Sequence, residues 1–394
     1  MRQRPHVRCE GCCSRGSVAP LTAISMVGLL GFSALTVDVG LLYNARTELQ
    51  RAADAAALAG ASQLLDQDRL AGSVEMSAEI AAARLAAART AALNTVLGSG
   101  PLVDSNDQNL PDGDLVIGYL NNPDNLGEVP ATVNLNQANS VQVLVRRDSV
   151  RNGPVALTFA RVLGFTSSNV SATATATFKD GVFGYRVTGE TGNAELLPLA
   201  LHVDAWNALL AGTTTTGDQY SYDSGTGVSS GSDGILELNL YPGAGPTQLP
   251  PGNFGTVDIG PPNNSTADIS RQIRYGVNEE DLAYFGGELT LGADGTLLLQ
   301  GDTGLSAGIK DDLTAIIGKP RAIPLFSTVA GPGNNAVFTV VGFAGIRILN
   351  VKLTGAMNNK NVIIQPAFVI DDSVITGPGS GASYFVYEPP RLTR

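Results

Sequence analysis

The sequence predicts an α+β chain in which an N-terminal transmembrane helix continues into an alanine-rich helical hairpin. A small α+β domain follows, and then a β-rich C-terminal domain with a few short helices. Three observations carry this reading. Val18 to Val37 is an uncharged run of 20 residues that passes without a turn signal into helical spacing. Residues 170–178 alternate between apolar and small polar side chains, the period of a strand with one polar face. Glycine and proline become more frequent after Gly181, which favours strands joined by turns.

The apolar run is long enough to span. As a helix, 20 residues rise about 30 Å, the thickness of a bilayer's hydrocarbon core. Pro20 falls in the first turn, where a missing N–H costs least. Charge orients the span: Arg2, Arg4, Arg8 and Arg15 precede Ser17 against the single Glu10, whereas the remainder holds 21 basic and 35 acidic residues. Arg15 on one side and Asp38 on the other therefore put the N-terminus in the cytoplasm by the positive-inside rule. The acidic body disfavours nucleic acid as a partner, because phosphates require a positive surface.

A cleaved signal peptide has the same polarity, but its apolar region is shorter and ends in a small-x-small site. "GFSALTVDVG" offers no clean A-x-A, and the helical pattern runs on through Leu41, Ala45, Leu49, Ala52, Ala56 and Ala59. An uncleaved anchor is the expectation.

The stretch "RGSVAPLTAISMVGLLGFSALTVDVGLLYNARTELQRAADAAALAGA" resembles the N-terminal anchor of TadG-like Flp pilus-assembly proteins of bacteria. The likeness lies in the Arg-Gly before the span, the V-D-V-G exit at Val37 to Gly40, Tyr43, Arg46, Leu49-Gln50 and the alanine run at Ala52 to Ala61. It covers residues 15–65 and extends more weakly through Val141 to Phe178 and Pro251 to Gly260. The resemblance implies a membrane-anchored scaffold of tight-adherence pilus machinery, held in the cytoplasmic membrane with the bulk of the chain outside. Other pilus-assembly or secretion components are the implied protein partners. Related pseudopilins are cut after a glycine and keep a glutamate five residues on. Cutting here after Gly16 would place Leu21 there, so prepilin processing is not expected. An anchored or shed adhesin, binding through the loops at residues 213–234 and 377–381, is the alternative.

By this reading residues 1–17 form a basic tail, 18–37 the anchor, 38–97 the hairpin and 98–180 the small α+β domain. Residues 181–198 form a linker, 199–376 the β-rich domain and 377–394 a C-terminal tail. In the hairpin, Ser73 is the expected N-cap of a second helix burying Val74, Ala78, Ala81, Leu85, Ala88, Ala92 and Val96, and residues 98–101 stop it. Strands are expected at 115–120, 131–135 and 141–145, and a helix at 154–163 stopped by Gly164. Further on come a helix at 199–211, a strand at 235–241 and an Asp294-Gly295 hairpin joining 288–291 to 296–300. Ser306 caps a helix at 307–317, and strands close the domain at 322–328, at 336–354 with a glycine break near 342–345, and at 361–370.

Catalytic machinery is mostly not found. His6, Cys9, Cys12 and Cys13 give H-x2-C-x2-CC before the span, for which a free reduced tail is a better account than zinc. Beyond it stand no cysteine and one histidine, His202, read as a core residue beside Trp206. Gly379-Ser380-Gly381 is no nucleophile elbow, and Gly318-Lys319 fails the P-loop spacing. The acidic Glu279-Glu280-Asp281 fits the first turn of a helix capped by Asn278. "DDSVIT" at Asp371 to Thr376 matches too little of the D-x-S-x-S metal motif that some TadG-like proteins carry in an adhesion domain. "DSNDQNLPDGD" (Asp104 to Asp114) is dense in oxygen ligands, but an EF-hand order fails, and a solvated Asx turn is preferred to calcium. No enzyme, cofactor or metal site is therefore expected, and Arg15 and Asp38 are the residues assigned a role, that of orienting the anchor.

Overall fold

The computed structural model describes residues 18–65, 70, 76–125, 127–213, 217–240, 254–261, 265–331, 333–355, 359–377 and 383–393. Its architecture is the expected mixture: a long apolar N-terminal helix, a second helix, and a β-rich C-terminal region with short helices.

The first helix, α1 (Val18–Gln63), runs unbroken for 46 residues, about 69 Å at 1.5 Å per residue. Two environments divide it. Up to Val37 its side chains are exposed apart from a half-buried Ala34. From Ala45 it turns a face of Leu49, Ala52, Ala53, Ala56, Ala57 and Ala61 into a core. The second helix, α2 (Ser77–Leu93), returns antiparallel beside it. Leu97 N–H, just past its end, donates to Glu48 Oε2 at 2.6 Å, while Ala83 and Ala87 face Gly60 farther along α1. A Cβ on Gly60 would stand 3.0 Å from Val141 Cγ1 and 3.3 Å from the Ala83 carbonyl oxygen. Alanine and glycine are used here because the backbones approach so closely.

That close approach also corrects the expected face of α2. Ala83, Ala87 and Ala91 are buried, whereas Ala78, Ala81 and Ala92 are exposed and Leu85 is 57 % exposed. A seam this tight admits methyl groups and expels the larger leucine, so the apolar periodicity of an alanine-rich helix points the wrong way. Ser73, the expected N-cap, lies outside the described residues. α2 ends at Leu93, before the expected stop, and Val96 and Ser99 bridge in the turn that follows.

Under the two helices lies a five-stranded sheet in the order 115–118, 140–147, 170–179, 386–392, 369–370. The first three neighbours pair antiparallel, with Val143 opposite both Leu115 and Ala174. Val141, Val143, Val145, Ala172, Ala174, Ala176 and Phe178 meet the alanine face of α1. The opposite face of the 170–179 strand was expected to be polar, and its Thr175 and Thr177 are nevertheless fully buried, with hydroxyl contacts to Gln142, Ser140 and Thr393. Residues 131–135 form no strand; Ala131 makes an isolated bridge to Tyr119.

Two expected boundaries differ from the structure. Residues 377–394 were read as a tail, yet Val386–Leu392 adds a strand beside 170–179, and Thr393 N–H donates to Thr175 O at 2.8 Å. The chain thus returns to the sheet on which α1 packs. Residues 181–198 were read as a linker, yet Val182–Arg186 is the central strand of a three-stranded sheet with 288–290 and 374–376, and Leu196 and Leu197 are fully buried.

In the larger β region, strands 199–202, 254–257, 297–302, 336–352 and 320–330 follow one another as neighbours, and the ring closes where Leu325 and Phe326 pair in parallel with Leu201 and His202. Two more strands, 361–366 and 238–239, extend from 336–352. Alternate residues of the wall feed two cores, Leu199 and Leu201 with Ile323 and Leu325 on one face, Ala200 and Ala322 with Phe338 on the other. Several local expectations change. Residues 199–202 are a strand, and the helix covers only Val203–Leu210. The turn at Asp294-Gly295 forms, but its flanks diverge, 288–290 pairing with 184–186 and 297–302 joining the ring. Among the described residues 235–240, only Leu238 and Asn239 are strand. Ser306 caps a short 3-10 turn, Ala307–Ile309, that leads into Lys310–Ala315. The 336–352 strand passes through its glycines without a break, because the missing Cβ of Gly345 admits the carbonyl oxygens of Ala367 and Phe385.

Candidate functional site

Asp38 sits at the point where α1 changes environment. It is the first charged side chain after the apolar run, and it is buried, 2 % exposed. What buries it is a hairpin 120 residues away in sequence. Val155–Ala156 pairs antiparallel with Ser167–Ser168, and between them Ala160–Leu163 makes one 3-10 turn ended by Gly164. Asp38 Oδ1 accepts the Thr158 N–H at 2.9 Å, and Oδ2 accepts the Phe159 and Ala160 N–H groups at 2.8 and 2.6 Å. A carboxylate placed at the start of a helical turn satisfies N–H groups that have no partner within the turn and complements their positive end.

This arrangement corrects the expected 154–163 helix. The N–H groups of Thr158, Phe159 and Ala160 are held by Asp38, and Val155 is held in a strand, so no continuous helix forms. The larger apolar residues of "TFARVLGF" then face outward while Ala160 is buried: Phe159, Val162, Leu163 and Phe165 are all exposed, Val162 by 89 %. A groove of about 350 Å³ runs between this tip and α1, lined by Gly28, Phe32 and Leu35 on one side and Phe159, Val162 and Leu163 on the other. Sequence reasoning assigned Asp38 a charge at the membrane exit but missed its partners. The one signal was an apolar cluster, which an amphipathic helix explains equally well.

The other residues singled out from the sequence are dispersed. Arg15, His6, Cys9, Cys12, Cys13 and Gly379 to Gly381 lie outside the described residues. His202 joins strand to helix: its Nδ1 accepts the Asp204 N–H at 3.2 Å, its Nε2 lies 3.0 Å from the Ser327 carbonyl oxygen, and its ring meets Phe326 edge-on. It thus does the work of an N-cap and is not packed on an apolar helix face. Asn278 and Asp281 form a reciprocal capping box around the acidic turn. Asp371 accepts from Ser373 N–H, Ser373 Oγ and Glu195 N–H, so its carboxylate ties two segments together.

An Asx turn opens the Asp104 to Asp114 segment, Asp104 Oδ1 accepting the Asn106 N–H at 3.0 Å, and the rest of the loop is anchored in the protein. Asn106 and Asn109 adopt left-handed backbone and are buried, their amides bonding Leu110, Leu115 and Ile117 main-chain groups. Asp114 pairs with Arg146 and Arg151, each at 2.8 Å, and Asp104 pairs with Arg151 at 2.5 Å. The Asn106 backbone N–H, aided by Arg151, holds the Asp104 carboxyl below the ordinary carboxylate range. The Arg151 backbone N–H does the same for Asp148. Two guanidinium groups thus face Asp114, and one of them also Asp104. Among the described residues no group of three or more His, Cys, Asp or Glu side chains is placed to hold a metal ion.

The helix that is long and apolar enough to cross a membrane continues as the packing helix of an α+β unit, and both parts fall within matches to pilus-assembly families. Residues 16–63 match the family described as "Putative Flp pilus-assembly TadE/G-like", and residues 46–176 match "Putative Tad-like Flp pilus-assembly". Over residues 16–176, which the two matches cover together, the chain is similar to TadG-like Tad proteins. The second match ends within the 170–179 strand and takes in both the hairpin of Asp38 and the Asp104 to Asp114 loop. No curated protein and no solved structure matches the chain.

Proposed function

We propose that this protein is a single-pass scaffold of Flp pilus assembly, held by residues 18–37 in the bacterial cytoplasmic membrane with its N-terminus inside. The observation that carries the reading is the division of α1: an apolar half that stays exposed apart from the hairpin tip beside Gly28, Phe32 and Leu35, joined without a break to a half that is the core of the sheet unit. Exposed apolar side chains on that scale need a nonaqueous surrounding, and the length fits a bilayer core. Because the helix is continuous, the anchor fixes both the height and the orientation of the sheet unit above the membrane. The role is positional: the exported surfaces are presented to other assembly components, and no catalytic step is assigned. Asp38 marks the exit and Arg15 the cytoplasmic entry.

The test is topology together with phenotype. A cysteine introduced at Val133 should react with a membrane-impermeant maleimide on cells with a permeabilised outer envelope, while the native Cys9, Cys12 and Cys13 should not until the inner membrane is opened. Deletion of the gene should abolish pilus assembly. Normal pili in the deletion strain would remove the scaffold role, and the adhesin alternative would take its place.

A further inference from the structure

We propose that the hairpin tip at Leu157–Phe165 is a second membrane contact that inserts into the outer leaflet beside the anchor. The inference rests on the anchoring reading of α1 and adds a lipid-binding element to it. Position is the first argument. The tip lines one groove with Leu35, Phe32 and Gly28, which precede Asp38 by three, six and ten residues. At 1.5 Å per residue those levels lie about 4.5, 9 and 15 Å from Asp38 toward the N-terminus. If residues 18–37 span the hydrocarbon, a tip at this height lies at or below the lipid boundary.

The chemistry of the tip is the second argument, and it is independent of position. Hydrocarbon tolerates nonhelical backbone only where its polar groups are satisfied within the protein. Asp38 takes the N–H groups of residues 158–160, Leu157 donates to Thr166 O, Val162 to Phe159 O, Gly164 to Arg161 O and Phe165 to Ala160 O. With these seven N–H groups bonded inside the protein, the tip carries four outward apolar side chains, Phe159, Val162, Leu163 and Phe165, and no polar side chain lines the groove behind them. Arg161 is the one charge on the tip, and its long stem allows the guanidinium to reach lipid phosphates while the stem stays among acyl chains. Such a tip suits the boundary zone of a leaflet. Asp38 then acts as the tether that sets its depth.

The experiment uses the full chain with Cys9, Cys12 and Cys13 replaced by serine, reconstituted in vesicles of phosphatidylcholine and phosphatidylglycerol. Single cysteines at Leu29, Val162 and Val133 carry an environment-sensitive fluorophore, and quenching by lipids brominated along the acyl chain is measured. Val133, 96 % exposed and three residues before Asn136, whose Oδ1 accepts the Met76 N–H just before α2, reports water. Loss of emission at Leu29 and Val162 but not at Val133 is the expected result. Quenching at Leu29 alone overturns tip insertion and leaves the anchor standing. A blue-shifted Val162 signal without quenching also overturns it, assigning the tip to a protein surface. An unquenched Leu29 overturns the anchor reading and the insertion with it.

Discussion

Asp38 and Ala160 are 122 residues apart, and the carboxylate of the first accepts the backbone N–H of the second at 2.6 Å, inside a three-bond clamp that also holds Thr158 and Phe159. The contact links the end of the apolar run of α1 to a hairpin that branches from the sheet, so the first charge after that run has an architectural role.

Asp38→Asn should loosen the hairpin without unfolding the rest. An amide offers one acceptor oxygen and one donor in place of two anionic acceptors, so at least one N–H of the clamp loses its partner. Amide exchange across residues 155–168 should accelerate roughly ten-fold or more, while residues 45–61 exchange as before. Equal exchange in the two chains would show that the clamp contributes nothing to the hairpin.

Gly60 sets the spacing of α1, α2 and the sheet. For Gly60→Ala, relief of helical glycine, worth about 1 kcal/mol, opposes tight contacts to Val141 and Ala83, so stability should change by less than about 1 kcal/mol. Gly60→Val places two further methyl groups against the Ala83 carbonyl and Ala87 and should cost about 2–3 kcal/mol. Urea denaturation of the detergent-solubilised chain, followed by helical circular dichroism, separates the two. Equal stabilities for both variants would mean that the seam is not close-packed.

The long elements were legible in the sequence because their signals are local. An uncharged run and an alanine period specify α1, and strict alternation specifies 170–179. What failed depended on distant partners. Nothing near Val386–Leu392 says that residues 170–179 need a neighbour there, and "TFARVLGF" is a helix until Asp38 takes its first N–H groups. Leu85 shows the limit of periodicity on an alanine-rich helix: where closeness decides the contact, the largest apolar side chain is left outside. The Asp294-Gly295 turn was recognisable from its residues, but which strands it joins into which sheet depends on long-range pairing.

The Asp104 to Asp114 loop should be indifferent to calcium and sensitive to its arginines. Millimolar calcium should leave the melting temperature unchanged, since Arg146 and Arg151 already neutralise the carboxylates. Asp114→Ala should cost about 2–4 kcal/mol, less than a fully buried pair because both arginines are partly exposed. A calcium-dependent rise in melting temperature would instead mean that the arginines give way to the ion.

Acid should act on the same loop with a definite sign. Asp104 and Asp148 are held below their ordinary value of 3.8, so the folded state binds fewer protons there than the unfolded chain. Their stabilisation is present above that value and is lost as pH falls through the lower folded values. Burial raises the Glu195 and Glu237 carboxyls, which favours the folded state as their own range is approached from above. The total pH profile therefore mixes two signs, and a variant isolates one of them. The melting-temperature gap between the natural chain and Asp104→Asn should be constant at neutral pH and close under acid. A gap that persists unchanged to the lowest pH at which the chain folds would assign the effect of Asp104 to something other than its charge.

The C-terminal strand supplies the last test, because a tail and a sheet strand respond to deletion in opposite ways. Val386 is fully buried beside Val369, while Leu392 pairs with Ala176 and Thr393 bonds Thr175 on the strand against which α1 packs. Ending the chain after Gly377 would expose the 170–179 edge and remove a neighbour from Phe178, whose ring meets Tyr387 edge-on at 5.4 Å. An open apolar edge invites pairing between chains. The truncated protein should therefore aggregate or show rapid tryptic cleavage within residues 140–179, although the residues matched to the Tad families are all retained. If it instead stays monodisperse with an unchanged tryptic pattern, the three-strand sheet under α1 is sufficient alone and the returning strand is an addition to it.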